Sequence, residues 1–282
     1  MRTDDKHLPL IWIDGELHRG GAGCSLHPSD HGVVVGDGAF ETLRVLDGEA
    51  FAVTRHLARL DRSLSALGID PPDFARVRGA VGEVARESSL DDGRLRLTVT
   101  GGPSPFSSMR GDGPATVFIA VERSTPVAPL EHVVVCPWTR NERGALTGVK
   151  STSYAENVRA LAWAKARGAG EALFENTVGQ LAEGTGTNVF LVIDDQIVTP
   201  PESSGCLRGV TRELVLELAD VEQRPLTLDD LRHATEVFLT STTRDVQAVG
   251  RVDDIAITES RGPITADLAS RFLSLQRENI DA

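Results

Sequence analysis

The chain has 282 residues, 40% of them hydrophobic and 25% charged, the balance of a folded globular protein with room for one large or two ordinary domains. Its 29 basic and 41 acidic residues leave a formal charge of −12, so a phosphate backbone would repel it and nucleic-acid binding is set aside. No run approaches the roughly 18 apolar residues of a membrane span, and MRTDDKHLPL lacks the apolar core of a signal peptide, so a cytoplasmic location without a membrane partner is expected.

In chain order, LPLIWIDGELH predicts a hairpin turning at Asp14-Gly15, and residues 39–53 repeat the device at Asp47-Gly48. Leu57, Leu60, Leu64 and Leu67 recur at helical spacing, and Gly68 stops that helix. A second helix is expected over about 73–88. The strands RLRLTVT and ATVFIAV flank a Gly/Pro/Ser-rich loop, GGPSPFSSMRGDGP. The proline-bearing stretch 122–130 then reads as a linker between a small domain, 1–121, and a larger one, 131–282. The second half begins with the strand HVVVCPW. It continues with a helix at 155–168, a hairpin at Asp194-Asp195, helices at 210–219 and 228–234, and the strand EVFLTST. Strands and helices mix without strict βαβ alternation, which favours an α+β fold.

Cys24, Cys136 and Cys206 show no CxxC spacing and the histidines do not cluster, so neither a disulfide framework nor a metal site is expected. Dinucleotide, P-loop and nucleophile-elbow signatures are absent. The lysines are more informative, because there are only three: Lys6, Lys150 and Lys165. Lys6 sits in a charged tail, and Lys165 suits a helix C-terminus. Lys150 stands among small uncharged residues, a setting that suits Schiff-base chemistry with a carbonyl as well as an ordinary strand-end lysine. Val210 and Thr211 open a helix and could meet an anion there, or Thr211 could be a plain first-turn residue. Ser241, Thr242 and Thr243 place three hydroxyls at the end of an apolar strand. Glu183 precedes a Gly-Thr-Gly-Thr turn, where it could face a protonated ring nitrogen or simply water.

An aldehyde-reactive lysine, an acid for a ring nitrogen and two phosphate-binding ends are the parts needed to hold pyridoxal phosphate. The chain resembles the class IV aminotransferases, the fold type IV pyridoxal-phosphate enzymes. These include D-amino-acid and branched-chain aminotransferases, (R)-amine transaminases and aminodeoxychorismate lyase. The resemblance runs through DHGVVVGDGAFETLRV, HLARL, VKSTSYAENV, LAEGTGTNVFLV, TPPESSGCLRGVTRELVLELA and LTSTTRDVQAV, in the family's order. It implies a small N-terminal α/β sandwich and a larger C-terminal pseudo-barrel. It also implies a homodimer that completes each site, with the cofactor between the domains.

By resemblance, Lys150 is the Schiff-base lysine that moves the proton between Cα and C4′. Glu183 pairs with the pyridine nitrogen. Arg59, Val210, Thr211, Ser241 and Thr242 hold the phosphate, and Tyr154, the chain's only tyrosine, falls near the cofactor O3′. The loop that carries an arginine and a histidine for the substrate carboxylate in D-amino-acid enzymes has Phe106 and Ser108 instead. Phe40, Thr42 and Arg44 share the face that lines the family's pocket, so Arg44 is expected to take the carboxylate. A strand-end ion pair is the alternative for Arg44, and Arg110 is the next candidate for the carboxylate. The implied activity is transfer of an amino group between a D-amino acid and a 2-keto acid, with neutral (R)-amines as a further donor class. Aminodeoxychorismate lyase, releasing pyruvate and 4-aminobenzoate, is the alternative. A non-catalytic acidic binding protein is the third reading, and the Lys150 and Glu183 motifs argue against it.

Overall fold

A computed structural model describes residues 9–13, 15–21 and 23–282. Lys6 and Asp14 lie outside the described residues. The chain forms two compact units. The first holds the described residues up to Thr125, together with Val149–Tyr154 and Asn279–Ala282. The second holds Pro126–Gly148 and Ala155–Glu278.

In the first unit, β1 (Leu10–Ile13), β2 (Glu16–Arg19), the one-turn α1 (His31–Val34), β3 (Gly38–Leu46) and β4 (Glu49–Ala50) precede two helices. These are α2 (Val53–Leu67) and α3 (Phe74–Ser88), followed by β5 (Asp92–Thr100) and β6 (Thr116–Arg123). The antiparallel sheet has the order β2-β1-β6-β5-β3-β4. Asp47 and Gly48 both take positive φ, the geometry of the tight turn expected there. The leucines of α2 bury Leu57, Leu60 and Leu64 against Leu43, Val45, Leu95 and Leu97 of the sheet. Gly68 ends the helix at φ +65, a conformation that favours glycine. Asp73 caps α3 by accepting from the N–H groups of Ala75 and Arg76.

The second unit contains β7 (Glu131–Arg140), α4 (Ala155–Lys165), β8 (Glu171–Asn176), β9 (Leu181–Gly184), β10 (Asn188–Ile193) and β11 (Gln196–Thr199). Next come α5 (Val210–Leu218), β12 (Val221–Gln223), α6 (Leu228–His233), β13 (Glu236–Ser241), β14 (Asp245–Val252), β15 (Ile255–Ala256) and α7 (Pro263–Glu278). Its sheet runs β12-β11-β10-β13-β14-β7-β8-β9, with β15 beside β14. Parallel pairs (β7 with β8 and β14, β11 with β12) mix with antiparallel ones. Both units are therefore α+β, as expected. α7 was not among the expected helices, although Leu268, Phe272 and Gln276 recur every four residues on its buried side and Pro263 stands in its first position. No helix among the described residues is long and apolar enough to cross a membrane.

Candidate active site

Lys150 lies in a short extended segment that the first unit takes up beside β3. Phe40 N–H donates to the Lys150 carbonyl at 3.0 Å, Ala39 and Ser151 form an antiparallel bridge, and Thr152 N–H donates to Gly38 O at 2.8 Å. Two glycines at the start of this region have little room for a side chain. A Cβ on Gly36 would meet Ser153 Oγ at 2.7 Å, and one on Gly38 would meet Val99 O at 2.7 Å. Lys150 N–H also donates to Ser63 Oγ of α2 at 3.3 Å. The ammonium lies 4.3 Å from the centre of the Phe40 ring and 5.9 Å from that of Tyr154. Phe40 and Tyr154 meet edge to face at 5.3 Å. Three of the predicted residues are thus gathered around one aromatic corner.

The predicted arginines behave differently. Alternation along β3 turns Ala39, Glu41, Leu43 and Val45 toward the helices and Phe40, Thr42 and Arg44 the other way. Glu41 is fully buried against α2, where Arg59 and His56 hold it. Burial pushes the Glu41 carboxyl up, but the Arg59 charge and the hydrogen bonds from Arg59 and His56 bring it down to about 2. Burial in turn lowers the His56 imidazole. Arg44 lies forked on Asp92, with Nε to Oδ1 at 3.2 Å and Nη2 to Oδ2 at 3.1 Å. This is the strand-end ion pair named above as the alternative to a substrate role. Arg110 is forked on Asp37, both bonds 2.8 Å, and also donates to the carbonyls of Leu67 and Gly68. Its loop leaves Phe106 78% exposed.

One arginine was missed. Arg96 of β5 stands opposite Thr42 in the register and places its guanidinium carbon 3.7 Å from the Phe40 ring centre. Its one hydrogen bond among the described residues is to Thr98 Oγ1, at 3.4 Å, and it has no carboxylate partner among them. In sequence, RLRLTVT shows only outward charges alternating with core residues. The pairing of β5 with β3 is what sets Arg96 against Phe40.

In the second unit, Glu183 pairs across the sheet with Phe174, and Arg140 lies 4.3 Å over the Phe174 ring. The Arg140 Nε therefore reaches to 3.5 Å from Glu183 Oε1. Glu183 Oε2 accepts the Leu207 N–H at 2.8 Å. The two Glu183 oxygens thus face a cation on one side and a backbone donor on the other. The Gly-Thr-Gly-Thr turn beyond it is tied to the buried Glu171, which accepts from the Thr185 N–H and from the hydroxyls of Thr185 and Thr187. Beside Glu183, the Cys206 thiol is pushed up to about 12, by burial first and by the Glu183 charge second.

Val210 and Thr211 begin α5, and Gly209 before them supplies no side-chain cap. Gly209 lies against Asn188: a Cβ there would come within 2.1 Å of Asn188 Oδ1. Asn188 is held by donating to Leu207 O at 2.8 Å, and it stands opposite Thr240 in the sheet. Ser241 ends β13, and Thr242 follows in the turn to β14. The Thr240 and Ser241 hydroxyls are buried without a hydrogen-bond partner. An uncapped helix start beside orphaned hydroxyls is a set of donors suited to a phosphate group. The residues present therefore fit pyridoxal phosphate: an amine for the aldehyde, a carboxylate for the ring nitrogen and donors for the phosphate.

Comparison with known proteins agrees. The family model for amino-transferase class IV matches residues 38–252. The putative branched-chain-amino-acid aminotransferase of Methanocaldococcus jannaschii is 33% identical over 258 residues, covering 88% of this chain and 90% of that protein. The bifunctional aminodeoxychorismate lyase / D-amino acid transaminase of Mycobacterium tuberculosis is 33% identical over 259 residues, covering 82% and 87%. Among solved structures, the branched-chain aminotransferase of the thermophilic archaeon Thermoproteus uzoniensis with norvaline superposes with a TM-score of 0.87. It is 27% identical, and the match covers 94% of this chain and 94% of that one. A further branched-chain amino acid aminotransferase, solved in complex with N-(5'-phosphopyridoxyl)-L-glutamate, superposes equally well, with a TM-score of 0.87 at 26% identity. With the matched region spanning both units, this chain belongs to the class IV aminotransferases, the fold type IV enzymes that use pyridoxal 5'-phosphate.

Proposed function

We propose that this enzyme moves an amino group between a D-amino acid and a 2-keto acid. The bound cofactor supplies an electrophilic aldehyde carbon and an electron-withdrawing ring. Lys150 Nζ holds the aldehyde carbon between turnovers and carries the proton taken from the substrate Cα. Glu183 keeps a proton on the ring nitrogen, and Arg140 and the Leu207 N–H hold its carboxylate in place for that task. Val210, Thr211, Ser241 and Thr242 hold the phosphate, with Arg59 a further candidate, and Tyr154 lies by the ring oxygen.

The observation that carries a carboxylate substrate is the position of Arg96. Arg96 and Lys150 both contact the Phe40 ring, and Arg96 has no acid of its own among the described residues. A substrate carboxylate would supply one. Arg44 and Arg110 already grip Asp92 and Asp37, which leaves Arg96 the better placed of the three. The D configuration draws support from the name of the M. tuberculosis relative, and the same name favours aminodeoxychorismate lyase activity as the second reading.

The test is a single-turnover reaction of the loaded enzyme with D-alanine, L-alanine or L-leucine, followed by the cofactor spectrum. D-alanine should convert the cofactor to its amine form. Conversion by L-leucine with D-alanine inert would overturn the proposal. Release of 4-aminobenzoate from aminodeoxychorismate would establish the second activity.

A further inference from the structure

Arg212, the third residue of α5, is 1% exposed and heads the fully buried side chains in size. Its Nη2 donates to Pro200 O at 3.0 Å and to Gln223 Oε1 at 2.8 Å, and its Nε–H meets no acceptor. Both partners are neutral. No carboxylate lies within ion-pair distance of it among the described residues. Among the described residues the other deeply buried arginine, Arg59, is paired with Glu41. A buried guanidinium without a counter-charge is unfavourable. Its place makes matters worse, because the N–H groups at the start of a helix already create positive potential in the first turn.

The same helix start has no side-chain cap, and the Thr240 and Ser241 hydroxyls of β13, on which α5 packs, lack partners. A single anion at the start of α5 would accept from the helix-start N–H groups and the two hydroxyls, and its charge would offset that of Arg212. We infer that Arg212 is the buried counter-cation of this anion site: its charge sets the potential that draws a phosphate group to the start of α5, without the guanidinium having to touch it. The inference rests on the reading that the start of α5 takes the cofactor phosphate. One consequence is that the cofactor-free protein carries an electrostatic mismatch that phosphate removes. Anion binding and stability are therefore linked.

The test uses the full chain freed of cofactor. Binding of inorganic phosphate is followed by thermal shift, and binding of pyridoxal phosphate and of pyridoxal, which lacks the phosphate, by absorbance. Arg212→Gln should weaken phosphate and pyridoxal phosphate by about tenfold or more while changing pyridoxal by less than about twofold, since only the phosphate carries the charge that Arg212 attracts. Arg224→Gln, which removes an arginine ion-paired with Asp230 in the same unit, should leave all of them unchanged. Arg212→Gln binding phosphate as tightly as the parent would overturn the inference. So would equal losses for pyridoxal and pyridoxal phosphate, which indicate general damage. If Arg212→Gln does not fold, Arg212→Lys decides: it keeps the charge and should keep phosphate affinity, and a folded Arg212→Lys without that affinity overturns the inference. A parent protein that ignores phosphate would refute the earlier reading of the α5 start itself.

Discussion

Arg59 grips Glu41 by two hydrogen bonds, 2.8 Å from Nε to Oε1 and 2.5 Å from Nη2 to Oε2, in a part of the core where Glu41 has no exposed surface. His56 Nδ1 adds a third contact at 2.7 Å to Oε2. Removing one partner of such a pair leaves a buried charge. Arg59→Met should therefore lower unfolding stability by about 3–5 kcal/mol, and Glu41→Leu with Arg59→Met should recover much of it. Urea denaturation of both variants checks this. The Glu41 carboxyl is held down at about 2, so the pair's contribution is complete above the ordinary carboxylate value of 4.5. It is lost as the pH falls toward 2.

Lys150→Ala should remove the visible absorbance of the covalently bound cofactor and nearly all turnover. Lys165 belongs to α4 and is no substitute. Borohydride reduction and peptide mapping of the parent should find the pyridoxyl group on Lys150. A label on Lys165 or Lys6 would refute the assignment.

Glu183→Gln keeps the size of the side chain and deletes the charge that Arg140 and the Leu207 N–H support. The rate of the first half-reaction should fall about 10²-fold or more, as when a preorganised charge is lost from a reacting centre. Cofactor affinity should change far less, because the proposed phosphate donors remain. Stopped-flow kinetics beside a cofactor titration separates the two effects. An unchanged rate would remove Glu183 from the mechanism.

Arg96→Ala should weaken D-amino acids and keto acids by about 2–4 kcal/mol, the loss expected when one partner of a desolvated charge pair is deleted. A neutral donor such as (R)-1-phenylethylamine, if accepted, should be spared. Arg44→Ala should spare both, because its guanidinium serves Asp92. Comparing KM for charged and neutral donors in the two variants decides which arginine faces the substrate.

His31 has an acceptor on each ring nitrogen, Asp37 Oδ2 at 2.8 Å from Nδ1 and Ser107 O at 2.9 Å from Nε2. Both contacts are hydrogen bonds only when both nitrogens carry protons. The Asp37 hydrogen bond first, and the Ser107 carbonyl second, raise the imidazole above its ordinary 6.5. A raised folded value means the stabilisation is complete below 6.5 and disappears as the pH rises through that folded value. Urea midpoints measured from about pH 5.5 to 9 should fall for the parent and stay flatter for His31→Asn. Identical slopes would show that folding leaves the His31 proton affinity unchanged and would overturn this reading.

Local chemistry is what the sequence could determine by itself. The leucine spacing of α2, the Asp47-Gly48 turn and the helix at 210 depend on neighbours a few residues away. Lys150 stood out because the chain has so few lysines. The family's blocks are what drew attention to Glu183, Ser241 and Thr242. What only the tertiary structure decided is which charge each arginine meets. Asp92 is 48 residues from Arg44, and Asp37 is 73 from Arg110. Arg96 reaches Phe40 through the register of two strands. Glu41, a carboxylate that alternation turns into the core, would read as an error until α2 brings Arg59 and His56 onto it. An arginine's long side chain selects its partner by sheet register and helix packing, and those are fixed by the burial of distant apolar residues rather than by anything near the arginine in the chain.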